Sequence, residues 1–208
     1  MVSSRMLKLY YVPRTRAGRA RWMLEELGVP YELHRVDLST GEHKSPQYLA
    51  QVHPLGHVPA LTDGDTTIFE SAAIVAHLAD RFPEKGLAPA VGSEERGTYY
   101  QWLFYAMAEL EPHAVTFFLH SARLPEAERI PALVIEARRL LNANLVALET
   151  TLCDGREFVM GRFTAVDVAM GGVVGWAGMM RMIEDRPHVM AWSKRMGGRD
   201  AAKRSHAD

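Results

Sequence analysis

Two nearby segments bring together side chains of the kinds that bind small charged molecules. The first is His53-Pro54-Leu55-Gly56-His57-Val58-Pro59-Ala60-Leu61, and the second is Phe69-Glu70-Ser71. They read as loop, short apolar strand, tight turn, second strand and helix start. Val58-Pro59 places a proline, which has no N–H for a ladder, inside a strand-like run. Glu70-Ser71 places a carboxylate and a hydroxyl where an apolar helix begins. That combination suits a grip on one end of a small peptide. Upstream, Arg14, Arg16, Arg19 and Arg21 gather at another helix start, against the usual preference for acids there. They would help a nearby anion, or else form a solvated face with Arg21 paired to Glu25 one turn on.

The elements that position these residues are legible in outline. Residues 6–12 alternate as a strand ended by Pro13. A helix follows, with Ala20, Met23, Leu24 and Leu27 on one stripe and Gly28 as its stop. Residues 30–37 are a second strand, and 45–51 a weak helix. Asp63-Gly64-Asp65 is a turn signal, so 58–62 and 66–69 are expected to form a hairpin. Residues 71–82 make a helix that ends before Pro83. Residues 1–82 thus read as an α/β unit with a mixed sheet covered by helices, and 83–93 as a linker.

From 94 to 208 the pattern is helical only. Tyr100, Leu103, Phe104, Met107 and Leu110 recur at helical spacing, as do Leu133, Ala137, Leu140, Leu141 and Leu148. Thr164-Ala165-Val166-Asp167 has the spacing of a capping box, preceded by Phe163 as a staple residue. Residues 187–196 give one more short helix. The tail beyond Gly197-Gly198 reads as polar and frayed.

With 208 residues and a formal net charge of -1, the chain can bury a sizeable core and carries no basic excess for nucleic acid or an anionic membrane. Cys153 is its only cysteine, which excludes a disulfide framework or a Cys-x-x-Cys site and fits a reducing compartment. The first six residues lack the apolar core of a signal peptide. The run 165–183 is apolar, but it holds Asp167, Arg181 and four glycines, so it reads as a buried helix rather than a membrane span. A soluble cytoplasmic protein is expected.

The Pro-Leu-Gly-His-Val-Pro-Ala-Leu run at 54–61, Glu70-Ser71, Gly41-Glu42-His43 and Phe163-Thr164-Ala165-Val166-Asp167 together resemble the cytosolic glutathione transferase family, in its bacterial, theta-like form. The resemblance spans nearly the whole chain. It implies a thioredoxin-like N-terminal domain with a mixed four-stranded sheet, an all-α C-terminal domain, glutathione as co-substrate without a metal, and a homodimer. The activity implied is conjugation of glutathione to a small hydrophobic electrophile held against the helical domain. The alternatives are a glutathione-fold binding or regulatory protein with little turnover, or a glutathione-dependent isomerase or dehalogenase.

On that resemblance, Glu70 takes the ammonium of the γ-glutamyl end, while the Ser71 hydroxyl and helix-start amides take its carboxylate. Pro59, if cis, turns the Val58 N–H and C=O toward the cysteinyl backbone. His43 and His57 reach the glycine carboxylate, and Arg16 is the arginine placed near the ligand. A free thiol has a pKa of about 8.5, so a group must favour its thiolate. The family uses a tyrosine at the end of the first strand, or a serine or cysteine in the following loop. This loop has neither of the latter. Thr15 falls at the serine in one alignment and Tyr10 at the tyrosine in another, and both can donate an O–H. Thr15 is expected to cap the next helix through its oxygen, with its proton left to donate; Tyr10 has the alternative role of a core strand residue. Tyr105, Trp176, Met179, Met180 and Met182 line an apolar pocket or simply fill the core.

Overall fold

The computed structural model describes residues 6–207. Residues 1–5, read above as lacking a signal core, and residue 208 lie outside the described residues. The chain divides into two compact units, Met1–Ala88 with Arg199–Asp208, and Pro89–Gly198.

In the first unit, strands β1 (Leu7–Tyr11), β2 (Tyr31–Arg35), β3 (Ala60–Asp63) and β4 (Thr66–Phe69) form one sheet in the order β2-β1-β3-β4. β2 runs parallel to β1, whereas β3 and β4 are antiparallel. Alternation along β1 buries Leu7, Leu9 and Tyr11 on one face. Helix α1 (Ala17–Leu27) presses Ala20, Met23, Leu24 and Leu27 into that core and stops at left-handed Gly28, whose N–H returns to Leu24 O. Helix α3 (Ser71–Arg81) packs beside α1, burying Ile74, Val75 and Leu78. Short helix α2 (Pro46–Gln51) starts at Ser45, which accepts the Tyr48 N–H, and brings the Tyr48 ring against Tyr10. This is the thioredoxin-like unit expected. β3 begins two residues later than the sequence suggests, because Pro59 has no N–H to enter the ladder.

The tail corrects an expectation. Residues Asp200–Ser205 form a helix, α10, that packs along α1 with Ala201, Ala202 and Ser205 buried. Arg199 makes a two-pronged ion pair with Glu26, and Arg204 Nε bonds Glu25 at 2.7 Å. These segments belong to the first unit, so the expected second domain of 94–208 loses its last ten residues. The charges that made the tail look frayed are the ones that fasten it.

The second unit contains α4 (Glu95–Tyr105), α5 (Glu111–Phe118), α6 (Pro131–Asn144), α7 (Val146–Leu152), α8 (Ala165–Met179) and α9 (Pro187–Gly198). Between α4 and α5 the chain widens into a π-helical turn at Ala106–Leu110. Pro112 explains the widening, since it has no N–H to donate and its ring crowds the carbonyl four residues back. Asp167 caps α8 in a capping box with Thr164. Along α8, Ala165–Gly171, Val173, Val174 and Ala177 are buried, which accounts for its apolar character. Among the described residues, no helix is long and apolar enough to cross a membrane.

Candidate functional site

The sheet register gathers the chemistry at one end. Tyr10 lies opposite Ala60, Ala60 opposite Phe69, and Tyr11 opposite Arg35. Consequently the loop leaving β1, the segment leaving β2, the loop entering β3 and the residues leaving β4 all sit at the same edge. Thr15, Arg16, His43, His57, Val58, Pro59, Glu70 and Ser71 are all carried by these four segments.

Glu70 and Ser71 form the most constrained part. Glu70 precedes α3 with φ at 73°, a left-handed conformation that a non-glycine residue adopts at a cost of about 1–3 kcal/mol. Its side chain is exposed while Ser71 is buried. Ser71 Oγ accepts a hydrogen bond from Arg19 Nη1 at 3.0 Å. The Ser71 hydroxyl proton remains to donate, and the first amides of α3 lie beside it. Arg19 is itself buried. Arg19 of the arginine cluster thus touches a candidate residue, and Arg16 is exposed at the start of α1. The sequence signal for this was available in the stripe of α1: Arg19 falls between the buried positions Ala17, Ala20 and Met23.

The Val58–Pro59 peptide is cis. Val58 lies outside the ladder that starts at Ala60. The loop ahead of it is held at two points: Tyr48 Oη donates to His57 O at 2.8 Å, and Lys44 Nζ donates to Leu55 O at 2.8 Å. Gly56 has φ at 63°, and a methyl group there would meet His43 O at 2.3 Å. Turn Glu42–Lys44 and loop 53–57 are therefore in backbone contact, which sets the His43 and His57 segments side by side. Glu42 fixes the turn by bonding His34 Nε2 at 2.6 Å and the Asp37 N–H at 2.8 Å. His43 Nδ1 is buried without a hydrogen-bond partner among the described residues.

His53, to which no motif assigns a role, is buried in the loop together with Gly56. Its Nδ1 accepts the Leu55 N–H at 3.2 Å, so a neutral ring carries its proton on Nε2. Its ring packs on His57 at 5.3 Å and Phe69 at 4.9 Å. Burial lowers its pKa from the ordinary histidine value, with the neighbouring His57 and Lys44 adding to the effect and Glu70 opposing it.

The two candidate thiol activators differ in setting. Thr15 is exposed; Arg16 rather than Thr15 stands at the N-cap of α1, although Thr15 Oγ1 accepts the Ala17 N–H at 3.3 Å. Its proton is engaged, however, donating to Val12 O at 2.7 Å. To serve a ligand it must rotate away from that carbonyl. Tyr10 is half-buried on the α2 side of the sheet, with its ring 5.0 Å from that of His34 and 6.0 Å from that of Tyr48. Among the described residues, no group of three or more His, Cys, Asp or Glu side chains could hold a metal ion.

In the second unit, Met182 is fully buried, Trp176 stacks edge-on with Phe118, and the Tyr105 hydroxyl bonds Asn144 O. Met182 is core, whereas Met179 is exposed.

The first unit has a thioredoxin-like fold, with the cis-proline loop and the Glu-Ser helix start at one end of its sheet, and comparison with known proteins gives the family. The profile of the glutathione S-transferase N-terminal domain matches residues 5–80. Glutathione S-transferase F9 of Arabidopsis thaliana is 34% identical, with 97% of each chain covered. A glutathione transferase structure from Methylococcus capsulatus superposes with a TM-score of 0.83 at 30% identity over 97% of both chains. The transferase URE2P6 of Phanerochaete chrysosporium, solved with oxidized glutathione, gives 0.85 at 28% identity over 99% of this chain and 96% of its own. The chain belongs to the glutathione S-transferase family.

Proposed function

We propose that this protein is a glutathione transferase that joins the thiolate of glutathione to a small hydrophobic electrophile. The observation that carries the reading is the convergence of Glu70, Arg19-held Ser71 and cis Val58–Pro59 at one sheet end. Glu70 pairs with the ligand ammonium. The Ser71 hydroxyl and the first amides of α3 take the adjoining carboxylate, with the helix dipole in support. Val58 offers its N–H and C=O to the cysteinyl backbone, and His43 and His57 donate to the glycine carboxylate. Arg16 adds positive charge near the sulfur.

Thr15 is the first candidate to donate to the sulfur and Tyr10 the second. A thiol with a pKa of about 8.5 is roughly 3% thiolate at pH 7, and lowering that pKa by about two units makes the thiolate the main species. The thiolate then attacks the electrophilic carbon, an S–C bond forms, and the leaving group departs with its electron pair. A homodimer and a cytoplasmic setting are part of the same reading, the latter supported by the lone free cysteine. A theta-like placement within the family rests on Gly41-x-His43.

The test is retention on immobilised glutathione together with turnover of a generic aryl halide. Retention with turnover supports the transferase, and retention without turnover of any electrophile panel makes the protein a binder. Loss of retention removes the ligand roles of Glu70 and Ser71.

A further inference from the structure

The segments leaving β1 and β2 enclose an open cleft of about 550 Å³, within the size range of small-molecule sites. Its two sides are tied together where the strands end, the Val36 N–H donating to Tyr11 O at 2.9 Å. Val12 and Pro13 form the β1 side, and Val36 and Leu38 the apolar part of the β2 side. Val36 is buried, whereas Leu38 keeps 48% of its surface exposed. The cleft borders the candidate chemistry. Val12 supplies the carbonyl that accepts the Thr15 hydroxyl at 2.7 Å, so Thr15 sits one hydrogen bond from the cleft wall. The β2 side is fastened to the turn that carries His43. There the Glu42 carboxylate accepts the Asp37 N–H at 2.8 Å, and the Glu42 N–H donates to Asp37 O at 3.2 Å. The cleft is thus flanked by the thiol loop and by the turn proposed to meet the glycine carboxylate.

The charged side chains of the cleft are unequally satisfied. Asp37 Oδ1 accepts the Ser39 N–H at 2.8 Å, the Ser39 hydroxyl at 2.6 Å and the Thr40 N–H at 3.4 Å. These donors, the Ser39 hydroxyl foremost, hold the Asp37 carboxyl below the ordinary aspartate value. Arg35, on the same side of the cleft, is exposed and has no hydrogen-bond or ion-pair partner among the described residues, acting on Asp37 only at a distance. Arg14, next in sequence to Pro13, is also exposed and without such a partner among the described residues. Its φ of 59° is a left-handed conformation that a non-glycine residue adopts at a cost. Two open guanidiniums therefore stand against one carboxylate that already accepts three hydrogen bonds. An apolar wall beside an unsatisfied planar cation matches a ligand with an apolar body and a carboxylate.

We infer that this cleft receives the electrophile and that Arg35 selects one carrying a carboxylate, an inference that rests on the transferase reading above. The apolar body packs on Val12, Pro13 and Leu38. The Arg35 guanidinium offers two parallel N–H groups to the carboxylate, and Arg14 adds positive charge at the same mouth. The glutathione thiolate forms the S–C bond at the carbon bearing the leaving group, which departs with its electron pair. The carboxylate is unchanged by the reaction and serves only for recognition.

The experiment uses the full chain with two probes, a chlorodinitrobenzoate and the matching neutral carboxamide, both of which lose chloride to glutathione. Each kcat/KM is divided by the rate constant of the uncatalysed reaction, which removes the difference in intrinsic reactivity. Wild type is expected to favour the carboxylate by about fivefold, the upper end for an exposed ion pair. That preference falls as salt is added. Arg35→Gln abolishes it, and Leu38→Asp, which sets a negative charge on the cleft wall, reverses it. No preference in wild type, or the same preference in Arg35→Gln, overturns the inference while the transferase stands. If Arg35→Gln instead raises the glutathione Kd and slows both probes equally, Arg35 serves glutathione and the inference is again overturned. Turnover of neither probe, nor of any other electrophile, by wild type removes the transferase reading as well.

Discussion

Arg19 reaches from α1 to the first residue of α3, its Nη1 donating to Ser71 Oγ at 3.0 Å in a buried setting. The contact joins the two helices that back the sheet and orients the hydroxyl proposed to meet the ligand carboxylate. Arg19→Met keeps the stem and removes the donor and charge. A hydrogen bond from a charged group contributes about 1.5–3 kcal/mol. The expected outcome is a loss of stability of that order in urea unfolding, and a glutathione affinity reduced by about tenfold or more. A variant that loses stability but binds glutathione normally would make Arg19 a purely structural residue.

Thr15 and Tyr10 separate cleanly by substitution. If Thr15 donates to the sulfur, Thr15→Val lowers kcat/KM by about 10²-fold and raises the thiol pKa in the complex, the lower end of the range for loss of one aimed donor. Tyr10 packs its ring against His34 and Tyr48, contacts that Phe keeps, so Tyr10→Phe is expected to change kcat/KM by no more than about threefold, roughly 0.6 kcal/mol. The reverse order of effects assigns activation to Tyr10.

Gly56 is required on two counts. Its φ of 63° disfavours any side chain, and a Cβ would lie 2.3 Å from the His43 carbonyl. Gly56→Ala is expected to cost about 2–4 kcal/mol, from the left-handed backbone and the forced separation of the turn from the loop. Because it moves the His43 segment, it is also expected to weaken glutathione binding while leaving thiol ionisation in the complex unchanged.

The contrast between these positions shows what the sequence conveys. Alternation in β1, the stripe of α1, the Asp63-Gly64-Asp65 turn and the capping box at Thr164–Asp167 are local patterns, and each led to the right element. Val58-Pro59 and Glu70-Ser71 are contiguous motifs, so their place at a sheet end followed from the order of strands. Arg19 was masked because charge, rather than stripe position, was taken as its dominant feature. The tail was masked for a related reason. A segment such as Arg199–Arg204 looks solvated until Glu25 and Glu26, more than 170 residues earlier, are placed beside it. Long-range pairing of charges leaves no periodicity to read.

His53 gives the first unit a dependence on acid. Burial depresses its folded pKa below the unfolded 6.5, so the unfolded chain binds the proton first. The stability it contributes is fully present above pH 6.5 and is lost as pH falls through that value toward the lower folded pKa. The expected outcome is that His53→Asn flattens the fall in stability between about pH 6.5 and 5, a window set by the ordinary histidine value. Urea unfolding at several pH values measures it.

Asp167 in the second unit has the opposite sign. Its carboxylate is fully buried and accepts from Val159 N at 3.0 Å, Thr164 N at 2.9 Å and Trp192 Nε1 at 3.2 Å. Burial raises its pKa to about 6 against the pull of those donors. Since 6 lies above the unfolded 3.8, the folded state binds the proton more readily, and this contribution to stability is full at low pH and lost as pH rises through 6. Asn at this position cannot titrate and turns an amide toward existing donors, a cost of about 2 kcal/mol at pH 7. On acidification from pH 7 to 4, the gap between wild type and Asp167→Asn should widen, by up to about 3 kcal/mol. A gap that narrows instead would mean that the donors from Val159, Thr164 and Trp192 outweigh burial and hold the carboxylate ionised throughout. Trp192 bonds the same oxygen as Val159, so its fluorescence follows this titration directly.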